Sequence, residues 1–231
     1  MSEKGEDPRK RDEQLRKMAQ EALETHRITQ AQRYPLGARW LIQRPYPDGK
    51  GFDWTMAAEI VVMAGGRIVV WGDLYPVMFA HYGPFKDPAD VIRWMGGCKD
   101  LGYYVHQKAT IGCREVVDVW EADVALFQLQ EMITPEEVER QERSEKFVLA
   151  VEEAIEWHLE HRYEFLEYIY SKLDYDDYES VCHIGMVLSP RVYYAHAALT
   201  RLSQLLDQEE KERGERERQQ QPEGGGPPAA A

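Results

Sequence analysis

The chain has 231 residues, of which 43% are hydrophobic, so it is long enough for one sizeable core or two small ones. Its formal net charge of −13 argues against direct binding of nucleic acid, because phosphate binding relies on Lys and Arg. No stretch approaches the roughly 18 consecutive apolar residues of a membrane span, so we expect no membrane association. With three cysteines and no apolar leader after Met1, the sequence predicts a reduced, cytoplasmic setting.

Residues 1–33 mix charges densely and predict a largely solvated N-terminal helix. Apolar residues recur in it at helical spacing, from Leu15 and Met18 to Leu23 and Ile28. Its basic residues could pair with acids elsewhere: Arg9, Lys10, Arg11, Arg16, Lys17, Arg27 and Arg33.

Three strands follow in the next part of the chain. They are predicted over residues 39–44, 55–63 and 67–71, the last two joined by Ala64-Gly65-Gly66. Glycines supply the positive φ of a tight hairpin turn, so these strands predict an antiparallel meander.

Helices are expected after Gly72-Asp73. Asp87-Pro88 is a helix start signal, and that helix ends at Gly96-Gly97. Further helices are predicted over residues 101–111 and 115–131, the second from apolar residues three and four apart, although residues 115–120 are ambiguous between helix and strand.

The C-terminal part is predicted to be helical and then disordered. Thr134-Pro135-Glu136-Glu137 is a capping box, and the helix that it starts is expected to run to about Lys172. Ser189-Pro190 starts the last helix. From Gln208 onward the composition is charged and then Gly/Pro/Ala-rich, which is typical of disorder.

These elements predict an α+β protein. A charged N-terminal helix (residues 1–33) precedes a small, about three-stranded antiparallel sheet packed with helices (34–130), an acidic helical region (131–207) and a disordered tail (208–231).

The negative charge is concentrated in one segment. Residues 131–181 contain 16 Asp and Glu against 5 Lys and Arg, a net of −11. Within the expected long helix, four glutamates follow one another at four-residue steps, about 6 Å apart: Glu152, Glu156, Glu160 and Glu164. Four more acids extend this surface beyond the helix end: Asp174, Asp176, Asp177 and Glu179.

Like charges at that spacing destabilise a helix, so the sequence tolerates repulsion there. One hypothesis is a docking surface for a basic protein, with tyrosines among the acids as contact residues. The alternative is a solvated helix face, or one neutralised by the basic N-terminal helix.

The candidate metal ligands lack the usual spacing. Cys98, His106, Cys113 and Cys182-His183 form no close Cys pair, and His158 and His161 lack a Glu three residues before them. The sequence therefore predicts no metal site and no cofactor.

An alternative hypothesis is a metal-dependent enzyme such as a nuclease. Asp73 at a strand end, Glu59 on the neighbouring strand, His106 and Lys108 are its candidate residues. The tripeptide His106-Gln107-Lys108 lacks the second acid of such sites, and a helix N-cap explains Asp73 more simply.

Residues 67–112 also carry a resemblance. The runs Ile68-Val69-Val70-Trp71-Gly72-Asp73, Arg93-Trp94-Met95-Gly96 and Lys108-Ala109-Thr110-Ile111-Gly112 resemble uncharacterised bacteriophage and prophage proteins. The resemblance implies a phage setting, hence a host-cell cytoplasm, and no activity. By analogy with inhibitors of host defence that imitate nucleic acid, it favours a protein that binds a host or phage protein.

The sequence thus predicts a non-catalytic binding protein whose acidic helical surface docks a basic partner, such as a nucleic-acid-handling complex. Two alternatives stay open, the metal-dependent enzyme and a structural protein that forms homo-oligomers.

Overall fold

The computed structural model describes residues 5–73, 77–80, 85–101 and 118–220. The chain forms two compact units, each built from two stretches of sequence. The helical unit comprises Met1–Glu21 and Ala109–Tyr194, and the sheet unit comprises Ala22–Lys108 and Ala195–Ala231. Each unit therefore combines a terminal stretch of the chain with an internal one.

The described residues form seven strands and eight helices. The strands are β1 (Arg27–Tyr34), β2 (Gly37–Pro45), β3 (Phe52–Met63), β4 (Arg67–Gly72), β5 (Val77–Ala80), β6 (Asp118–Trp120) and β7 (Met186–Leu188). The helices are α1 (Pro8–Leu23), α2 (Pro88–Gly96), α3 (Ala122–Met132), α4 (Pro135–Arg140), α5 (Glu145–Trp157), α6 (Arg162–Lys172), α7 (Tyr175–Val181) and α8 (Pro190–Gln220).

The sheet unit contains an antiparallel sheet with the order β1-β2-β3-β4-β5 in its described residues. The predicted β3–β4 hairpin is confirmed, because Met63 pairs with Arg67 and the turn glycines Gly65 and Gly66 have φ of 79° and 75°. Both strands place buried residues in the interior, among them Ile60 and Ile68. The α+β class is thereby confirmed.

The expected strand number was wrong, since the described sheet has five strands and not about three. Most of β1 falls within residues 1–33, which were expected to form the N-terminal helix, but that helix ends at Leu23. β1 is an edge strand with mostly exposed side chains, so it lacks the alternation that marks a half-buried strand. β5 lies after Asp73, where a helix was expected, and pairs with β4.

The first helix of the sheet unit is confirmed. Asp87 caps α2 by accepting a hydrogen bond from the Ala89 N–H at 2.7 Å, and Pro88 occupies the first helical position. Burial and hydrogen bonds from Arg33 and Ala89 act on this carboxyl, and the hydrogen bonds prevail and lower its pKa. The helix expected over residues 101–111 lies outside the described residues, apart from Leu101.

The last helix is longer than expected, because α8 continues to Gln220 where a disordered tail was predicted from residue 208. The Arg93 guanidinium of α2 lies 2.7 Å from Asp207 and 2.6 Å from Glu210. Glu212 accepts a hydrogen bond from Gln208 one turn away at 2.9 Å. Gln, Glu, Lys and Arg are strong helix formers, so this segment extends the helix without burial. The predicted apolar positions of α8 are buried: Val192, Ala195, Leu199, Leu202 and Leu206.

The helical unit packs its helices around an apolar cluster. Phe147 and Val151 of α5 and Phe165 and Ile169 of α6 are fully buried in it. Of the stripe predicted from the sequence, Val151, Ile169 and Leu173 are buried, and the remaining members pack partly buried against the cluster: Val148, Ile155, Leu159 and Leu166.

Residues 115–131 were expected to form one helix. Instead, β6 pairs with β7, with Val119 opposite Val187, and α3 begins only at Ala122. A three-residue strand whose partner is distant in sequence carries no local periodicity, so this part of the prediction was wrong.

Candidate docking surface on the helical unit

The long acidic helix of the sequence prediction is divided in the structure. A helix begins at Pro135, as predicted, with the Thr134 hydroxyl accepting a hydrogen bond from the Glu137 N–H at 3.4 Å. It ends at Arg140, α5 begins after Ser144 and ends at Trp157, and α6 begins at Arg162. The prediction of one helix to Lys172 was therefore wrong.

The break at residues 158–161 turns the chain back. His161 has extended backbone angles, φ −131° and ψ 127°, just before α6 begins. The rings of His158 and Tyr168 stack with centroids 4.2 Å apart, and the Lys172 amino group lies 4.0 Å from the Glu153 carboxylate. α5 and α6 are therefore antiparallel neighbours, which buries an apolar face of each.

The four glutamates consequently do not form one stripe on one helix. Glu152 and Glu156 lie on α5, Glu160 lies in the connection, and Glu164 lies in the first turn of α6. All four are exposed. Among the described residues, no Lys, Arg or His nitrogen forms an ion pair with any of them.

The second group of predicted acids has mixed roles. Asp174 caps α7 by accepting a hydrogen bond from the Asp177 N–H at 3.0 Å. Asp177 pairs with Arg143 at 2.8 Å, and Glu179 accepts a hydrogen bond from the Tyr175 hydroxyl at 2.6 Å. Asp176 is exposed and forms no ion pair within the part of the chain described. Only Asp176 in this group is thus available to a partner without first breaking a contact.

The acidic residues share their surface with exposed apolar and aromatic side chains. Trp157 is 68% exposed and Tyr163 is 87% exposed, and each lies close in sequence to one of the four glutamates. Tyr170 and Tyr175 are also exposed, although Tyr170 makes an edge contact with Tyr178, with ring centroids 5.4 Å apart. Large aromatic side chains are typical anchors at protein interfaces.

The basic residues of the N-terminal helix do not neutralise the four glutamates, which was one alternative considered from the sequence. The Arg11 guanidinium is buried and forms a two-point salt bridge with Glu121, and the Lys17 amino group lies 3.9 Å from Glu21. Burial opposes the charge of Arg11, but the bond to Glu121 outweighs it and raises the pKa of the guanidinium. These ion pairs anchor α1 and do not involve the exposed glutamates.

The residues of the enzyme alternative have protein partners where they are described. The Asp73 carboxylate accepts a hydrogen bond from the Met56 N–H at 2.8 Å, and Met56 has a positive φ of 62°. Glu59 binds the Arg39 guanidinium at 2.5 Å. His106 and Lys108 lie outside the described residues. The two described carboxylates therefore stabilise the N-terminal half of β3 and the β2–β3 pair.

Cys98 and Cys182 form no disulfide with each other. Each thiol donates to a backbone carbonyl near the end of a helix, those of Trp94 and Glu179. Cys113 lies outside the described residues. Within the described ranges, no three His, Cys, Asp or Glu side chains are grouped as a metal ion would require.

Sequence reasoning missed one feature of this surface. Leu149 of α5 is 57% exposed, although it is a large apolar residue. The sequence did contain a signal of this exposure. Leu149 lies outside the apolar stripe formed by Val148, Val151 and Ile155, and charged residues lie one helical turn before and after it.

Comparison of the chain with protein-family models, with curated proteins and with solved structures found no match. No helix in the described part of the chain is long and apolar enough to cross a membrane.

Proposed function

We propose that this chain is a non-catalytic binding protein whose helical unit docks a basic partner protein. One observation carries the proposal: Glu152, Glu156, Glu160, Glu164 and Asp176 are exposed and form no ion pair among the described residues. These five residues are called the acidic surface.

The physical basis is electrostatic complementarity. A surface of one sign steers an oppositely charged partner and raises the association rate. Exposed ion pairs add only about 0.2–1 kcal/mol each, so the neighbouring Trp157 and Tyr163 supply the apolar contacts that a stable complex needs. A partner of nucleic-acid-handling type fits this chemistry because such proteins carry basic surfaces.

The phage or prophage setting implied by the resemblance of residues 67–112 is part of the proposal. It would place the partner in a bacterial host or in the phage itself.

Charge reversal tests the proposal. We expect the variant Glu152→Lys, Glu156→Lys, Glu160→Lys and Glu164→Lys to lose salt-sensitive capture of basic proteins from a host lysate, as identified by mass spectrometry. For one purified partner the affinity should fall about thirtyfold or more, because four exposed pairs are removed.

The matched control reverses four exposed acids of α8: Glu209, Glu212, Glu215 and Glu217. This control changes the net charge by the same amount, but on a helix that carries both acidic and basic residues. It should still capture the basic proteins. Unchanged capture by the first variant, with an unchanged circular dichroism spectrum, would remove the proposal.

A further inference from the structure

Leu149 is an exposed apolar residue surrounded by charge. Glu145 and Lys146 precede it by one helical turn, and Glu152 and Glu153 follow it by one turn, so all four flank it on the same side of α5. An apolar side chain inside a ring of charged ones has the anatomy of a small interface core with a polar rim.

A groove lies beside Leu149, between α5 and α6. Its volume is about 460 Å³, and Leu149, Ala150, Tyr168 and Lys172 contribute to its walls together with Glu145, Lys146 and Glu153. Ligand and peptide sites commonly have volumes of roughly 300–1,000 Å³. The groove is therefore large enough to take apolar side chains from a partner.

The far wall of the groove is held in place by several contacts. Tyr168 stacks on His158, and the Lys172 amino group lies 5.4 Å from the centre of the Tyr168 ring. Burial and the neighbouring Glu153 carboxylate raise the pKa of the Tyr168 hydroxyl. A site that is already held in shape loses less conformational entropy on binding.

We infer that this groove seats the apolar face of a basic amphipathic helix, with Leu149 as the central contact. The inference rests on the proposed function and specifies the class of partner. Positive residues on the flanks of such a helix would face Glu145, Glu152 and Glu156, which gives complementary charge on both sides of the apolar contact, whereas Glu153 is already paired with Lys172.

The spacing of exposed apolar residues favours a helix as the occupant. Leu149 and Trp157 are eight residues apart on α5, or about 12 Å along its axis, which is close to the separation of anchor residues two turns apart on a bound helix. Two antiparallel helices also present a groove into which a third helix packs at about 8–10 Å.

A second copy of the same face is disfavoured as the occupant. Two copies of α5 would bring glutamates near glutamates, and like charges in contact oppose association. Nucleic acid is disfavoured for the same reason, because its phosphates are negative.

Two synthetic peptides of about 18 residues, five helical turns, test the inference. Both contain only Leu and Lys in the same numbers. One is ordered so that its leucines fall on a single helical face, and the other distributes them around the helix. Fluorescence anisotropy of the labelled peptides with the full chain gives both affinities.

We expect the amphipathic peptide to bind about tenfold more tightly than its reordered isomer. Leu149→Gln should abolish that preference, whereas Leu36→Gln, which changes a leucine that is 75% exposed in the sheet unit, should retain it. Because Leu149 is exposed, its substitution should leave the fold intact.

The failures of the two proposals are distinguishable. Equal binding of both peptides, or a preference that survives Leu149→Gln, overturns the groove inference and leaves the acidic surface in place. If neither peptide binds at low salt, both the groove inference and the proposed function fall.

Discussion

His26 is a fully buried histidine that precedes β1, and its surroundings lower its pKa. Its Nε2 lies 3.1 Å from the Met56 carbonyl oxygen and donates to it, and its own carbonyl accepts a hydrogen bond from Arg201 at 2.9 Å. Burial lowers the pKa of this imidazole, the nearby Arg44 and Arg201 lower it further, and the bond to Met56 and the charge of Asp53 oppose them only in part.

This histidine should make stability fall in mild acid. The folded-state pKa lies below the ordinary value of 6.5, so the unfolded chain takes up a proton that the folded chain resists. The contribution of His26 to stability is present above pH 6.5 and is lost as the pH falls below it toward the folded-state pKa. Urea unfolding between about pH 7 and pH 5 measures this slope.

We expect His26→Gln to show a shallower loss of unfolding free energy over that range than the parent chain. His161→Gln, a change at an exposed histidine, is the control and should keep the parent slope. If His26→Gln loses unfolding free energy with falling pH as steeply as the parent chain, groups other than His26 dominate the response to acid.

Gly96 shows how one close approach determines the packing of an element. It lies at the end of α2, and its carbonyl accepts a hydrogen bond from the Thr200 hydroxyl of α8 at 2.9 Å. A Cβ at this position would lie 2.8 Å from the Leu199 carbonyl oxygen, which is closer than side chains tolerate. The sequence explained Gly96 and Gly97 equally as a helix end, whereas the structure separates their roles.

Gly96→Ala should therefore destabilise the chain by about 1–3 kcal/mol, because α2 must move away from α8. Gly97→Ala is the matched control. Gly97 has an ordinary φ of −82°, and a Cβ there would lie 3.1 Å from the Arg93 carbonyl oxygen, so the change should stay within about 1 kcal/mol. Chemical unfolding measures the stability of the two variants. Equal losses of stability would contradict the close approach of Gly96 to the Leu199 carbonyl.

The break between α5 and α6 is a second feature at the scale of elements. No Gly or Pro marks residues 158–161, and the apolar spacing continues across them, so local rules predict one helix. The chain turns because Phe165 and Ile169 then join Phe147 and Val151 in one buried cluster. This gain depends on contacts between elements, which periodicity does not report.

At the scale of the whole molecule, the charge is strongly segregated. Residues 131–181 hold −11 of the net −13, and several of these acids lack an ion-pair partner in the described structure. α8 instead mixes acids with bases, as where Glu212 lies 3.3 Å from Arg216. Repulsion that remains on one surface costs stability, so we expect function to maintain it.

Neutralisation should therefore stabilise the chain. Glu152→Gln, Glu156→Gln and Glu164→Gln together should raise the unfolding free energy by about 1 kcal/mol at low salt, and by less at high salt where charges are screened. The same change at Glu209, Glu215 and Glu217 of α8 should leave stability unchanged or lower it. Equal shifts in the two variants would show that charge segregation has no energetic cost.

The local features of this protein are predictable from its sequence alone. It located the β3–β4 hairpin through Gly65 and Gly66, the start of α2 through Asp87 and the segment that carries the acids, because turn chemistry, capping and composition act over a few residues.

Contacts between residues distant in the chain depend on the folded arrangement of the elements. The edge strands β1 and β5, the β6–β7 pair and the turn between α5 and α6 all depend on partners distant in the chain. The same holds for the candidate site, since the glutamates were visible in the sequence, whereas the exposure of Leu149 and its groove follow from how α5 packs on α6. The free energy of such contacts is shared between distant segments, so no single window of the sequence contains it.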